Sequence, residues 1–166
     1  MTGNPEIRLL TCADAAAYRD IRLEGLRQNP EAFAATFEDE RDMPLDWFRE
    51  RLAQSQIFGA VLMPQLVGVI GLRSNADAKQ RHRAVIWGMY VRREARRYGI
   101  GERLVDAALA HASGHVEQIQ LAVVTENEAA RRLYAKAGFV EYGHQINALK
   151  HGARYYDDIL MVKFLG

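Results

Sequence analysis

A single cysteine, Cys12, stands among the 166 residues of this chain. One thiol cannot close an internal disulfide or supply a cysteine-rich zinc site, and Cys12 reads as a small filler near a helix start. Neither sign of charge is in excess: 22 Lys and Arg face 21 Asp and Glu, a formal net charge of +1. There is thus no global field to draw the protein to nucleic acid or an anionic membrane. Long apolar runs are also missing. The one membrane-like stretch, IFGAVLMPQLVGVIGL at 57–72, is shorter than the roughly 20 residues of a spanning helix. Pro64-Gln65 divides it, so it reads as a buried hairpin. The first twenty residues carry Glu6, Arg8, Asp14, Arg19 and Asp20 and no uninterrupted apolar segment, so no signal peptide is expected. Repeats, linkers and low-complexity segments are absent. What is left, 49% hydrophobic and 26% charged residues, is ordinary globular composition and enough chain for a proper core. We expect one domain over 1–166, soluble and cytoplasmic, with no metal site.

The hydrophobic pattern alternates between two periods. EIRLL at 6–10 predicts a first strand. Thr11 is placed to cap a helix running to about Gln28, with Ala16, Ile21, Leu23 and Leu26 on its apolar face and Asn29-Pro30 as its stop. A short helix is expected around 33–40, and Pro44 suits the first turn of another over LDWFRERLAQ. The hairpin pairs 57–63 with 66–73, and 74–82 is a polar loop. Residues 83–91 and 117–124 are apolar on both faces, which predicts buried central strands. Helices are expected from about Gly99 to Ser113, burying Ile100, Leu104, Ala108 and Leu109, and over 127–137, closed by Gly138. Two final strands flank a turn at His151-Gly152. The order β-α-α-β-β-β-α-β-α-β-β predicts an α/β (α+β) mixed sheet with helices on both faces, not a doubly wound one.

Two segments carry chemistry. In VRREARRYGIGERL, 91–104, a strand end gives way to arginines and then to Gly99-Ile100-Gly101 at a helix start. Glycines let the backbone approach a ligand closely, free first-turn amides and the helix dipole favour an anion, and Arg96 and Arg97 add forked donors. The stretch points to a phosphorylated ligand. It is neither G-x-G-x-x-G nor G-x-x-x-x-G-K-[ST], which disfavours a dinucleotide site and leaves nucleotide triphosphate hydrolysis unsupported. In NEAARRLYAKAGF, 127–139, Asn127 and Tyr134 lie seven apart, two turns along one helix face. Taken singly, Asn127 also suits a helix cap, in competition with Thr125-Glu128, and Tyr134 a core aromatic.

Together the two segments resemble the GNAT superfamily of N-acetyltransferases, most strongly over 84–139. The resemblance implies a mixed sheet of about seven strands, with the central parallel strands 83–91 and 117–124 splayed around acetyl-CoA as co-substrate. It implies that backbone at Met89, Tyr90 and Val91 pairs with the pantetheine arm. The turn of Arg96, Arg97, Tyr98, Gly99, Ile100, Gly101 and Glu102 would hold the pyrophosphate, with the amides of Arg97 to Glu102 as its donors. Asn127 would hydrogen-bond near the thioester, and Tyr134 would be the general acid. The second partner would be an amine acceptor, small molecule or protein, and the protein a monomer or homodimer.

Elementary chemistry agrees with these roles. A thiol resembling cysteine has a pKa of about 8.5 and tyrosine one of about 10, so a tyrosine arrives protonated at neutral pH and can give its proton to a departing thiolate. Acyl transfer also needs donors for the developing oxyanion. Many relatives carry a glutamate five residues before the asparagine; here Ala122 stands there, so a base must come from elsewhere or a water chain must carry the proton. Glu24, Glu38, Asp39, Glu40 and His82 are candidates by loop position alone. Acceptor contacts are expected from 24–40 and from Tyr155, Tyr156 and Asp157, with Glu38-Asp39-Glu40 able to attract a cationic amine. A catalytically weak acyl-CoA-binding module, or an enzyme for longer acyl groups, are the alternatives.

Overall fold

The computed structural model of the protein describes residues 3–166. Seven strands form one sheet: β1 (Glu6–Leu9), β2 (Gln56–Leu62), β3 (Gln65–Ser74), β4 (Arg83–Val91), β5 (Gln118–Val124), β6 (Val140–His151) and β7 (Arg154–Phe164). Their spatial order is β1-β2-β3-β4-β5-β7-β6. All neighbours are antiparallel except β4 and β5, which are parallel. The helices are α1 (Ala15–Gln28), α2 (Phe37–Glu40), α3 (Leu45–Gln54), α4 (Ile100–Ala112) and α5 (Glu128–Lys136). This is the mixed sheet the sequence predicts. No helix among the described residues is long and apolar enough to cross a membrane.

The sheet divides the apolar interior in two. On one face, α4 and α5 pack Ile100, Leu104, Ala108 and Tyr134 against Ile86, Leu121, Val123 and Met161. On the other, α1 and α3 pack Tyr18, Ile21, Phe48 and Leu52 against Leu66, Val69 and Tyr90. The strands that serve both faces are apolar throughout: every residue from Leu66 to Leu72 is buried. β6, the outer edge, is mostly exposed, and its pairing with β7 shifts at Glu141/Gly143 and Gln145/Leu149. Such irregularities make an edge a poor template for further pairing.

Three local expectations differ from the structure. The helix expected from Thr11 begins with a 3₁₀ turn, Cys12–Asp14, because Asp14 is drawn back to the Thr11 amide and to Arg8; the α-helix proper starts at Ala15. Its buried face is Ala15, Tyr18, Ile21, Arg22, Gly25 and Leu26, with Ala16 exposed and Leu23 only half-buried. Cys12, expected as a small filler near a helix start, opens the 3₁₀ turn and is exposed.

β4 and β5 pair at only three positions, Arg83↔Gln118, Ala84↔Ile119 and Val85↔Gln120, and then part. On its other side β4 bulges. Tyr90 lies opposite Val69 and Trp87 opposite Gly71, so three residues of β4 span two of β3. Gly88 takes φ +62 at this point, a left-handed conformation that favours glycine. The extra residue resets the alternation, so Trp87 and Tyr90 both face α1 and α3 while Met89 and Val91 face α4 and α5. The sheet thereby opens a cleft between β4 and β5 beyond Val85 and Gln120.

Candidate active site

The first wall of the cleft is the start of α4. Gly99 caps it in the left-handed region, φ 68 and ψ 11, with no side-chain cap bond. Without a capping side chain the first-turn amides remain open to a ligand. The two glycines serve different ends. A Cβ on Gly99 would meet nothing within 4 Å, so its backbone angle is what demands glycine. A Cβ on Gly101 would lie 3.1 Å from Met89 Cε and 3.2 Å from Leu133 Cδ2, so there it is space. Arg97 also has a positive φ, 71, and both it and Tyr98 are exposed. Arg96 turns back instead: its Nε donates to the Val91 carbonyl at 3.0 Å and its guanidinium lies over the Tyr90 ring. Glu102 pairs on the surface with Lys136 at 2.7 Å. Tyr90 points away from this wall, its phenol donating to Glu24 Oε1 at 3.0 Å, and Arg92 Nε lies 3.1 Å from the other Glu24 oxygen.

Asn127 and Tyr134 come from α5, behind β5. Asn127 is the N-cap, its Oδ1 accepting from the Ala130 amide at 3.2 Å. That bond uses the oxygen and leaves the exposed Nδ2 free to donate. The competing Thr125 cap does not form, because the Thr125 hydroxyl donates to the Asp157 carbonyl at 3.0 Å. Tyr134 is 6% exposed and packs edge-on against Phe139. Its phenol donates to Met89 Sδ at 3.2 Å, a bond that crosses from α5 to β4. Burial pushes this phenol well above the ordinary tyrosine value, so it stays protonated.

A cavity of about 740 Å³ opens on the opposite face of the sheet. The parting strands supply Trp87, Gly88, Ala122 and Val124; α1, α2 and α3 supply Arg22, Glu40 and Arg51. Arg22 and Glu40 form a bidentate pair, both bonds 2.9 Å, with side chains only 6% and 3% exposed. Arg51 adds a third member at 3.2 Å and stacks its guanidinium 4.0 Å from the Trp47 ring centre. Burial alone would raise the Glu40 carboxyl, but the hydrogen bonds and charge of Arg22, joined by Arg51, outweigh it and hold it below its ordinary value.

The candidate bases do not converge here. Glu40 is locked in its ion pairs, and Glu24 is held by Tyr90 and Arg92. Glu38 and Asp39 are exposed on α2. His82 precedes β4 at the end where β4 and β5 still pair, away from the opening. Of the last strands' candidates, Tyr155 and Tyr156 stack with Lys150 and Arg154. Asp157 is held below its ordinary value by the Asn147 amide at 2.8 Å and by His144 at 2.9 Å. Its neighbour Asp158 faces the other way. It lines the cavity, is 8% exposed, and its Oδ1 is buried without a hydrogen-bond partner. Burial and then the charge of Asp157 raise its carboxyl.

Sequence reasoning missed Arg22, Arg51, Trp87 and Asp158. One signal was available for Arg22. It falls four residues after Tyr18 and four before Leu26, within the apolar stripe of α1, where a charge requires a buried partner.

The fold is shared with solved proteins over nearly the whole chain. A GNAT-family acetyltransferase from Streptococcus pneumoniae is 24% identical, covers 98% of this chain and 100% of its own, and superposes with a TM-score of 0.83. YncA from Salmonella typhimurium, solved with its cofactor acetyl-CoA, is 18% identical over 99% of this chain and 95% of its own, TM-score 0.82. A ribosomal-protein-alanine N-acetyltransferase from Brucella melitensis is 23% identical over 96% and 99%, TM-score 0.80. Residues 19–139, from α1 through α5, match the model of the acetyltransferase (GNAT) family. With its parted parallel strands and glycine-capped α4, this chain belongs to the acetyltransferase (GNAT) family.

Proposed function

We propose that the protein is an N-acetyltransferase that moves the acetyl group of acetyl-CoA to a primary amine by direct attack, with both substrates held in the cleft. The observation that carries this reading is Tyr134: a buried, protonated phenol at the gap between β4 and β5, donating to a sulfur, Met89 Sδ. A thioether is a weak acceptor, so little is lost when the phenol turns to a better one.

Acetyl-CoA, when bound, supplies an acetyl carbon activated as a thioester. The chain offers a matching set of groups. The uncapped first turn of α4 and the amides from Arg97 to Glu102 suit a pyrophosphate. A Cβ at Gly101 would crowd Met89 and Leu133, so this glycine lets the start of α4 sit close against β4. The edge of β4 at Met89 and Tyr90, unpaired toward β5, suits an extended arm. The Val91 carbonyl is engaged by Arg96 Nε, so an arm pairing there would share or displace that contact. Asn127 Nδ2 is left to donate to a carbonyl. Tyr134 holds the proton the leaving sulfur needs, and the cavity on the other face admits an amine from the opposite side. No covalent enzyme intermediate is required.

The test is thiol release from acetyl-CoA across a panel of amines, with calorimetry for acetyl-CoA binding. Thiol release with one or more amines is expected. Tight binding with no release on any amine would make the protein a binding module and remove Tyr134's role.

A further inference from the structure

We propose that Asp158 is the catalytic base, the group that takes the proton from the attacking amine. The inference rests on the acyl-transfer reading above and supplies the residue that Ala122 does not.

Placement is the first argument. Asp158 on β7 lies in register with Val124 on β5, and Ala122 lies in register with Leu160. Ala122 and Val124 sit two apart on β5 and both line the cavity, as the period of a strand requires. Asp158 is on that same face, directly beside Val124 and diagonal to Ala122. A carboxylate there opens on the same cavity that a longer acidic side chain at Ala122 would enter.

The second argument is what surrounds it. The other charged groups of the cavity are Arg22, Glu40, Glu50, Arg51 and Arg73. Arg22, Glu40 and Arg51 satisfy one another, and Glu50 and Arg73 are exposed. On its own strand, Asp157 is turned outward to His144 and the Asn147 amide. Among the described residues no cation pairs with Asp158, and Oδ1 has no donor at all. A buried carboxylate left without partners is costly. An ammonium or amine entering the cavity provides the missing donor. Burial, and then the charge of Asp157, raises the carboxyl and brings the group closer to a useful base.

The proton count closes. The bound ammonium first gives one proton through Asp158 Oδ1 to solvent. As the neutral nitrogen then bonds to the acetyl carbon and the C–S bond breaks, Asp158 takes its second proton and the sulfur takes one from Tyr134. Solvent then returns a proton from Asp158 to Tyr134. The products are the amide, the free thiol and one proton released to solvent.

The experiment compares wild type with Asp158→Asn on putrescine, lysine, glycine, hydroxylamine, kanamycin and a peptide with N-terminal alanine. With the best acceptor, D158N is expected to lose about 10²–10³-fold in kcat/KM near neutral pH. That deficit should shrink as pH rises and the amine becomes neutral unaided, while acetyl-CoA affinity by calorimetry stays unchanged. Adding Ala122→Glu to D158N should recover at least part of the loss. Wild-type turnover by D158N overturns the assignment, as does a deficit that is constant with pH and not relieved by A122E. If D158N also loses acetyl-CoA binding, the ¹³C carboxyl titration of Asp158 in the unliganded wild-type protein decides. Titration above the other aspartates sustains the base, and titration among or below them overturns it. A wild type that neither binds acetyl-CoA nor acetylates any of the panel instead breaks the acyl-transfer reading itself, and this inference with it.

Discussion

The two walls of the cleft are built on different plans. The α4–α5 wall is made of backbone and neutral groups: first-turn amides, an asparagine amide, a phenol. Its parts come from two short stretches of chain, 89–102 and 127–134. Its demands are conformational, a left-handed φ at Gly99 and space at Gly101. The opposite wall is made of charged side chains, Arg22, Glu40, Arg51 and Asp158, gathered from α1, α2, α3 and β7. Its order depends on buried ion pairs whose partners lie 11 and 18 residues apart. A ligand held by backbone requires the right local geometry. A ligand held by charged side chains requires the whole tertiary structure to desolvate and orient them. On the proposed function, the first wall would take acetyl-CoA and the second the amine.

If that division holds, lesions on the two walls separate. Tyr134→Phe should lower turnover by about 10²–10⁴-fold, with acetyl-CoA affinity by calorimetry and Tm little changed. Unaltered turnover would place the phenol's value in packing against Phe139. Glu40→Ala should instead strike stability. It leaves Arg22 buried without its counter-charge, a lesion of about 3–5 kcal/mol, read as a lowered midpoint in denaturant. A loss below about 1 kcal/mol would show that Arg22 reaches solvent or another partner. Gly101→Asp brings bulk and negative charge to the α4 turn and should weaken acetyl-CoA binding about tenfold or more, which is about 1.4 kcal/mol. Equal affinity would move the phosphate site elsewhere.

The smallest effect is in acid. The hydrogen bonds from Arg8 hold Asp14 down to about 2, and Glu40 is likewise held below its ordinary value. Carboxyls lowered in the folded state contribute stability that is complete above their unfolded range, about pH 4. That stability drains away as pH falls through the folded values. Urea midpoints should accordingly decline from about pH 4 toward pH 2, and Asp14→Asn should flatten part of that slope. An unchanged slope would assign the acid sensitivity to Glu40 and Asp157.

The same division explains what could be read from the chain alone. The strand order, both glycines of the α4 turn and the Asn127–Tyr134 helix face were legible, because each is a local pattern of period, turn or spacing. The charged wall was not. Asp157 was singled out and Asp158 passed over, yet the strand period turns adjacent side chains to opposite faces. Only the register against Val124 decides which aspartate points inward. Glu40 looked like a free acid in an exposed run, since its two arginine partners are remote in sequence. The bulge at Gly88, which places Trp87 and Tyr90 on one side, leaves no periodic trace because it breaks the period.

The three-position seam between β4 and β5 has a consequence for the molecule as an assembly of parts. β1 to β4 and β5 to β7 are each knitted by antiparallel ladders, and in the strand order those three parallel pairs are the one ladder joining them. On the proposed function, acetyl-CoA bound in the gap would act as a further rung. It would tie two half-sheets that the backbone alone joins weakly. Its binding energy would enter their cohesion directly, about 2.7 kcal/mol at a hundredfold excess over Kd.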